Sequence, residues 1–82
     1  MDKQAVTEEV LRLLRQTTED AQQISESALL REELGIGSIE ILTLVADLED
    51  VFRITVRERD LREVETVADV VQLVLRLKEN QS

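Results

Sequence analysis

Apolar residues recur at helical spacing in three segments of this chain. The first segment runs from about Lys3 to Gln16, with Asp2 as its capping residue. The second runs from Ser38 to Phe52. The third opens at Thr66, whose spacing to Asp69 is close to a capping box with aspartate in place of glutamate or glutamine. These segments predict three helices.

The residues between these segments predict a long loop and one short helix. The loop comprises a polar stretch from Thr17 to Gln23 and a mixed stretch from Ile24 to Leu34, with one helical turn. Three of its apolar residues are expected to enter the core: Ile24, Leu29 and Leu34. The short helix is expected at about Arg57 to Arg62, where Glu58 and Arg62 stand at a supporting i,i+4 spacing.

The predicted fold is all-α: a bundle of three longer helices and one short one, with a long loop between the first two. We expect a single domain over residues 1–82. Several valines lower the helix propensity of the last segment, so a strand from Asp69 to Leu75 is the alternative there. The expected core contains Val6, Val10, Leu14, Leu34, Leu44, Leu48, Phe52, Val56, Val67, Val70, Val71 and Val74.

The second segment carries more apolar residues than one core face requires. A broad face is assigned to the core and comprises Ile41, Leu44, Val45, Leu48, Val51 and Phe52. A narrower stripe comprises Ile39, Leu42 and Ala46. Two interpretations of this stripe are open. Either another helix or the long loop covers it, or it is exposed and docks a partner protein. Carboxylates flank the stripe, so the partner in the second case would be basic. Those carboxylates belong to Glu40, Asp47, Glu49 and Asp50.

Ser38 follows a turn signal, Gly35-Ile36-Gly37, and stands at the start of the second helix. Unpaired backbone N–H groups and the positive end of the helix dipole meet there, which suits a bound phosphate. Serine is also a common capping residue at this position. The residues alone leave both interpretations open. Three other serines lack this context: Ser25, Ser27 and Ser82.

Composition excludes several classes of function. The net charge of −8 repels nucleic acids and anionic membranes and favours a basic protein partner. The chain has no histidine and no cysteine, so we assign no catalytic residue and no metal site. No apolar run approaches a membrane span, and the N-terminus does not resemble a secretory signal. We therefore expect a soluble cytoplasmic protein.

The stretch from Ile24 to Val56 resembles the acyl carrier protein family, and the likeness extends over nearly the whole chain. The family's Leu-Gly-apolar-Asp-Ser-apolar motif corresponds to Leu34-Gly35-Ile36-Gly37-Ser38-Ile39. Its Leu-Glu-x-x-Phe-x-Ile-x-(Ile/Val) motif corresponds to Leu48-Glu49-Asp50-Val51-Phe52-Arg53-Ile54-Thr55-Val56. The opening of the family's fourth helix is similar to Thr66-Val67-Ala68-Asp69-Val70-Val71.

The resemblance implies a non-catalytic carrier. Ser38 would be esterified with 4′-phosphopantetheine from coenzyme A by a separate phosphopantetheinyl transferase, and the thiol of that arm would carry acyl groups as thioesters. The pathway implied is fatty-acid, polyketide or related acyl chemistry. The partners are enzymes that load and process acyl groups through basic docking patches. The implied recognition helix carries Ile39, Glu40, Leu42, Ala46, Asp47, Glu49 and Asp50. We expect a monomer, because the spare apolar stripe is narrow.

Two features depart from the family pattern. Gly37 replaces the aspartate that normally forms part of the transferase's recognition site, and it could instead be a turn residue with unusual backbone angles. Four arginines occupy the short-helix region: Arg53, Arg57, Arg59 and Arg62. They either form salt bridges with neighbouring acids in a solvated helix or select a dedicated partner. The acids concerned are Glu58, Asp60, Glu63 and Glu65.

The alternative function is an unmodified acidic adaptor that binds a basic partner through the second helix. The two hypotheses differ at Ser38, because only a carrier loses its cargo when this serine becomes alanine.

Overall fold

The computed structural model describes residues 2–17 and 24–80, and four α-helices lie within them. The helices are α1 (Lys3–Thr17), α2 (Ser38–Phe52), α3 (Glu58–Leu61) and α4 (Val67–Asn80). This arrangement confirms the predicted all-α fold with three longer helices and one short one. Residues 69–75 are helical, so the strand alternative for that stretch is wrong. The polar loop is predicted to begin at Thr17, but Thr17 is the last residue of α1. The rest of that stretch, residues 18–23, lies outside the part of the chain that the structure describes.

Side-chain caps fix the start of α1 and of α4, as the sequence predicts. The Ala5 N–H donates to Asp2 Oδ1 at 2.7 Å. At α4 the Asp69 N–H donates to Thr66 Oγ1 at 3.2 Å, and the Thr66 N–H donates to Asp69 Oδ2 at 3.0 Å. The Glu65 N–H also donates to Asp69 Oδ2, at 2.9 Å. These bonds favour the ionised carboxyl, so the backbone N–H groups of Glu65 and Thr66 lower the pKa of Asp69.

The core lies where α1 packs against α2 and α4. Of the twelve residues named as the expected core, all are buried except Val56, which is half-buried but still packs against the core. Six further residues are buried that the prediction omitted: Leu13, Ala28, Leu30, Ile36, Ile54 and Leu73. Among the described residues, all the buried side chains are apolar.

The loop between α1 and α2 pairs with the segment before α4. This pairing explains why one loop residue that was expected to enter the core lies outside it. The Leu30 N–H donates to Glu65 O at 2.9 Å, and the Val67 N–H donates to Ala28 O at 3.1 Å. The loop is extended here, so alternate side chains point to opposite sides. Ala28 and Leu30 are therefore buried, whereas Leu29 is half-buried and outside the core. The other two loop residues behave as predicted, since Leu34 is buried and Ile24 packs against the core.

The end of this loop contains the expected helical turn and leads into α2. The Glu33 N–H donates to Leu29 O at 3.0 Å, which closes one helical turn. Gly35 follows with a φ of +66°, a conformation that glycine adopts with least strain. The Ile36 N–H then donates to Leu30 O at 2.9 Å, and the Ile36 side chain is buried.

Hydrogen bonds from both sides hold the connection between α2 and α3. The Val56 N–H donates to Glu49 Oε2 at 2.9 Å. The Arg57 N–H donates to Asp60 Oδ2 at 2.9 Å, and Arg76 of α4 forms an ion pair with Asp60 Oδ1 at 3.2 Å. The short helix α3 is thus tied to both of its neighbours.

In the described part of the chain, no helix has the length and apolar character needed to cross a membrane.

Candidate functional site

Ser38 is the first residue of α2, and its side chain is exposed. The capping position falls one residue earlier, on Gly37, whose carbonyl accepts the Ile41 N–H at 2.9 Å. No side chain caps this end of α2, and the Ser38 hydroxyl makes no hydrogen bond with any described residue. The interpretation of Ser38 as a capping serine is therefore wrong. Its hydroxyl stays available for chemistry at a helix N-terminus.

Gly37 has ordinary backbone angles, with a φ of −90° and a ψ of −173°. Any residue adopts this extended conformation without strain. The suggestion that Gly37 is a turn residue with unusual angles is therefore wrong. That description fits Gly35, two residues earlier.

A groove of about 690 Å³ opens beside Ser38, between the long loop, the start of α2 and the segment that contains α3. Its apolar lining consists of Leu29, Leu30, Ile41, Leu42, Leu61 and Val64. Two arginines and two glutamates also line it: Arg31, Glu32, Arg62 and Glu65. A volume of this size is typical of sites for small ligands. The groove therefore offers an apolar surface next to the free hydroxyl.

Sequence reasoning did not anticipate this groove. Its walls come from three separate parts of the chain, and only their packing brings these parts together. Leu61 and Val64 did give a local signal, because two apolar residues three positions apart in a polar segment indicate a face that contacts something.

The narrow apolar stripe of α2 is exposed. Ile39 is 78% exposed and Leu42 is 67% exposed, and Ala46 is exposed as well. The interpretation that another helix or the loop covers this stripe is therefore wrong for the described residues. Two residues assigned to the core face also lie outside it: Val51 is 39% exposed, and Val45 is half-buried without packing against the core. α2 faces α1 and α4 mainly through Leu44, Leu48 and Phe52, which leaves Val51 at the edge of the contact.

The acids predicted for partner recognition fall into two groups. Glu40 and Asp50 are exposed, whereas Asp47 and Glu49 are half-buried. Glu49 also accepts the Val56 N–H, so part of its role is structural. α2 carries no Lys or Arg, and its 15 residues span roughly 22 Å at 1.5 Å per residue. The predicted recognition residues thus share one acidic helix, with Ser38 as its first residue.

The four arginines around α3 are exposed, and none forms an ion pair with another described residue. The salt-bridged account of this helix, including the Glu58–Arg62 pair, is therefore wrong for the described residues. The nearby ion pair runs to α4, from Asp60 to Arg76, because the helices pack together there. Whether the arginines select a dedicated partner stays a prediction.

Comparisons with known proteins agree with this geometry. A family defined as the phosphopantetheine attachment site matches residues 4–74. The chain is 38% identical to an acyl carrier protein of Saccharopolyspora erythraea over 78 residues, which cover 94% of this chain and 82% of that one. It is 36% identical over 55 residues to an acyl carrier protein of an Exiguobacterium species, covering 67% of this chain and 70% of that one.

The fold is also that of a solved structure. The crystal structure of an acyl carrier protein from Thermotoga maritima superposes with a TM-score of 0.83 at 19% identity, covering 100% of this chain and 96% of that one. In this family the domain carries phosphopantetheine and works with partner enzymes. The matched residues, the identity to relatives and the shared fold together place this chain in the acyl carrier protein family, with a phosphopantetheine attachment domain over residues 4–74.

Proposed function

We propose that this protein carries acyl intermediates as thioesters on a 4′-phosphopantetheine arm attached to Ser38. The observation that carries this proposal is the exposed Ser38 hydroxyl, which has no hydrogen-bond partner among the described residues and lies at the start of α2 beside the groove. Ser25 and Ser27 differ, because their hydroxyls lie 3.2 Å apart and hydrogen-bond to each other. Ser38 is therefore the serine that these observations favour.

The attachment needs a separate transferase. The Ser38 oxygen attacks the phosphorus of coenzyme A that bears the pantetheine and forms a new P–O bond. The diphosphate P–O bond breaks, adenosine 3′,5′-bisphosphate leaves with the electron pair, and a base of the transferase takes the hydroxyl proton. The positive end of the α2 dipole favours the resulting phosphodiester. When bound, the arm supplies the terminal thiol that this cysteine-free chain lacks.

The groove suits the arm and its cargo. Its apolar lining offers a surface that shields a hydrocarbon chain from water, and Ser38 lies at its edge. Catalytic groups for acyl chemistry belong to the partner enzymes in this proposal, since the chain has no histidine or cysteine. The pathway is fatty-acid, polyketide or related acyl synthesis.

We assign partner docking to the exposed stripe of α2 and the acids beside it. Ile39, Leu42 and Ala46 supply the apolar contact, and Glu40, Asp47 and Asp50 supply charge for a basic patch. Glu49 is less available to a partner, because it is half-buried and its carboxylate also accepts the Val56 N–H. Charge-guided contact of this kind permits fast and reversible exchange between successive enzymes.

The decisive experiment measures intact mass after incubation with coenzyme A, magnesium and a broad-specificity phosphopantetheinyl transferase. The native chain should gain one phosphopantetheine, and Ser38→Ala should gain none. Ser25→Ala and Ser27→Ala are matched controls that should be modified like the native chain. A gain on Ser38→Ala, or no gain on the native chain with two different transferases, would overturn the proposal.

The unmodified adaptor is the second candidate, and the exposed stripe on α2 is the observation that favours it. An adaptor needs no free hydroxyl, so Ser38→Ala would leave partner binding unchanged while Asp47→Lys would weaken it. If the native chain gains no phosphopantetheine in the mass experiment, the adaptor function is favoured.

A further inference from the structure

We propose that Arg31 and Arg62, which line the groove beside Ser38, bind a carboxylate at the far end of the acyl cargo. The cargo class is an acyl group with an anionic end and apolar carbons between that end and the thioester. This inference rests on the proposed function, because it concerns what the arm on Ser38 carries.

The pairing of the long loop with the segment before α4 brings the two arginines to one groove. Arg31 lies in the helical turn of the loop, and Arg62 directly follows α3. The Leu30 N–H donates to Glu65 O, which joins the two walls close to these arginines. Both arginines therefore belong to one site, although separate parts of the chain supply them.

Neither guanidinium group is neutralised by a direct contact. Both arginines are exposed, and neither side chain forms an ion pair or a hydrogen bond with any residue in 2–17 or 24–80. The nearby acid Asp60 is engaged elsewhere, because it accepts the Arg57 N–H and pairs with Arg76. Two positive groups at the groove thus stay available for a ligand.

A carboxylate fits this pair of arginines. The planar guanidinium group donates two parallel hydrogen bonds to a carboxylate, and such charge-assisted bonds are stronger than those between neutral groups. The apolar lining, which includes Ile41, Leu61 and Val64, covers the carbons between the thioester and the carboxylate. The methylene stems of the arginines add to this apolar surface.

Glu32 and Glu65 line the groove as well and oppose an anion there. Their carboxylates form no ion pair with either arginine, so both guanidinium groups keep their hydrogen-bond donors free. Acids outnumber basic residues 18 to 10 in this chain, so acids are expected on most of its surfaces. The arginines are the less expected component of the groove, and they distinguish its chemistry from that of the acidic helix α2.

Thioester hydrolysis tests the inference, because an acyl group held in the groove is shielded from water. The transferase loads the chain from adipyl-coenzyme A or from hexanoyl-coenzyme A, whose acyl groups have equal length and end in a carboxylate or a methyl group. Intact mass confirms loading and follows the loss of each cargo with time.

The adipyl thioester should hydrolyse about fivefold more slowly on the native chain than on the Arg31→Gln/Arg62→Gln double variant, a difference of about 1 kcal/mol expected for exposed charge pairs. The hexanoyl thioester should hydrolyse at the same rate on both chains within about twofold, because it lacks the carboxylate. This second cargo also controls for any effect of the lost charges on the attacking hydroxide.

Two further variants separate the groove from general charge. Arg59→Gln is the matched control, because Arg59 is an exposed arginine of α3 that lines a different pocket. It should leave the adipyl rate unchanged. Glu65→Gln removes an opposing acid from the groove and should slow adipyl hydrolysis about twofold further.

The phosphodiester of the arm is a competing anion, and NMR distinguishes it from the cargo carboxylate. The Nε–H signals of Arg31 and Arg62 should shift when adipyl is loaded and should stay in place with hexanoyl, since both loaded forms contain the phosphodiester. Equal shifts with the two cargos would assign the arginines to the phosphodiester and overturn the inference.

The outcomes distinguish this inference from the function on which it rests. If both cargos are loaded and the double variant holds adipyl as long as the native chain does, the inference fails and the attachment to Ser38 stands. If Arg59→Gln accelerates adipyl hydrolysis as much as the double variant, the specific role of the groove is refuted. If the native chain accepts neither cargo, the proposed function itself fails, and this inference fails with it.

Discussion

Arg53 ends α2 in the left-handed region of backbone space, with a φ of 57° and a ψ of 48°. Its N–H donates to Glu49 O, which satisfies one of the last carbonyls of the helix. A residue with a Cβ pays a conformational cost in this region, and glycine does not. The spacing of apolar residues does predict where α2 stops, but it does not reveal this angle.

Replacing Arg53 by glycine should raise the free energy of unfolding by about 0.5–1 kcal/mol, because relief of the left-handed strain exceeds the added freedom of the unfolded chain. Urea denaturation measures the change. Arg53→Ala is the matched control, since it removes the same charge and keeps the Cβ, and it should bring no gain. Equal effects of the two variants would contradict the argument.

Asp69 should make stability depend on pH. The N–H groups of Glu65 and Thr66 lower its pKa in the folded state, so its contribution is fully present above the pKa of an unfolded aspartate, about 3.9. That contribution disappears as pH falls through the lower folded pKa. Compared with Asp69→Asn, the native chain should be about 1 kcal/mol more stable at pH 7, and the difference should shrink as the pH falls below about 3.9.

Denaturation of both chains across this pH range checks the prediction. A difference that stays constant from pH 7 to pH 2 would show that the carboxylate charge is irrelevant to the cap.

At the scale of elements, long-range contacts hold the connection between α2 and α3. α3 has four residues, too few for a stable helix in isolation. Its position depends on the Glu49–Val56 hydrogen bond on one side and on the Asp60–Arg76 ion pair on the other. The sequence predicts a short helix here, but it predicts the wrong ion pair. Asp60 and Arg76 are 16 residues apart, and only the packing of α3 beside α4 makes them neighbours.

Glu49→Ala should loosen this connection. The Val56 N–H loses its acceptor, so its hydrogen exchange should accelerate about fivefold, which corresponds to about 1 kcal/mol for one hydrogen bond. Amide exchange followed by NMR measures the rate. Asp50→Ala removes a neighbouring exposed acid and should leave the Val56 rate unchanged. Acceleration in both variants would mean that general charge, not this bond, protects the amide.

At the scale of the whole molecule, α2 divides its apolar residues between a core and a surface. Leu44 is 2% exposed in the core, whereas Leu42, two positions earlier, is 67% exposed beside the groove. Helical periodicity separates Leu44 from Leu42 correctly, although it assigns the exposed Val51 to the core face. Whether the second face is covered depends on how the other elements pack, which periodicity does not encode.

Leu44→Ala should therefore cost about 2–5 kcal/mol of stability, a large fraction of the total for a domain of this size. The chemically identical change at Leu42 should stay within about 0.5 kcal/mol, because little apolar surface leaves water there on folding. Urea denaturation of both variants gives the comparison. Similar losses at the two positions would contradict the assigned exposure.

The sequence by itself determined the features that depend on neighbours within one or two helical turns. Periodicity fixed the bounds of α2, local side-chain caps fixed the starts of α1 and α4, and a turn signal placed Ser38 at a helix N-terminus. These interactions are local, so they can be predicted from spacing and propensity.

The tertiary structure alone decided what separate segments form together. It buried Leu30 in place of Leu29, because the loop pairs with the segment before α4. It built the groove beside Ser38 from three parts of the chain, and it brought Arg31 and Arg62 to that groove. Each of these outcomes depends on backbone paths and packing in three dimensions, which the order of residue types does not specify.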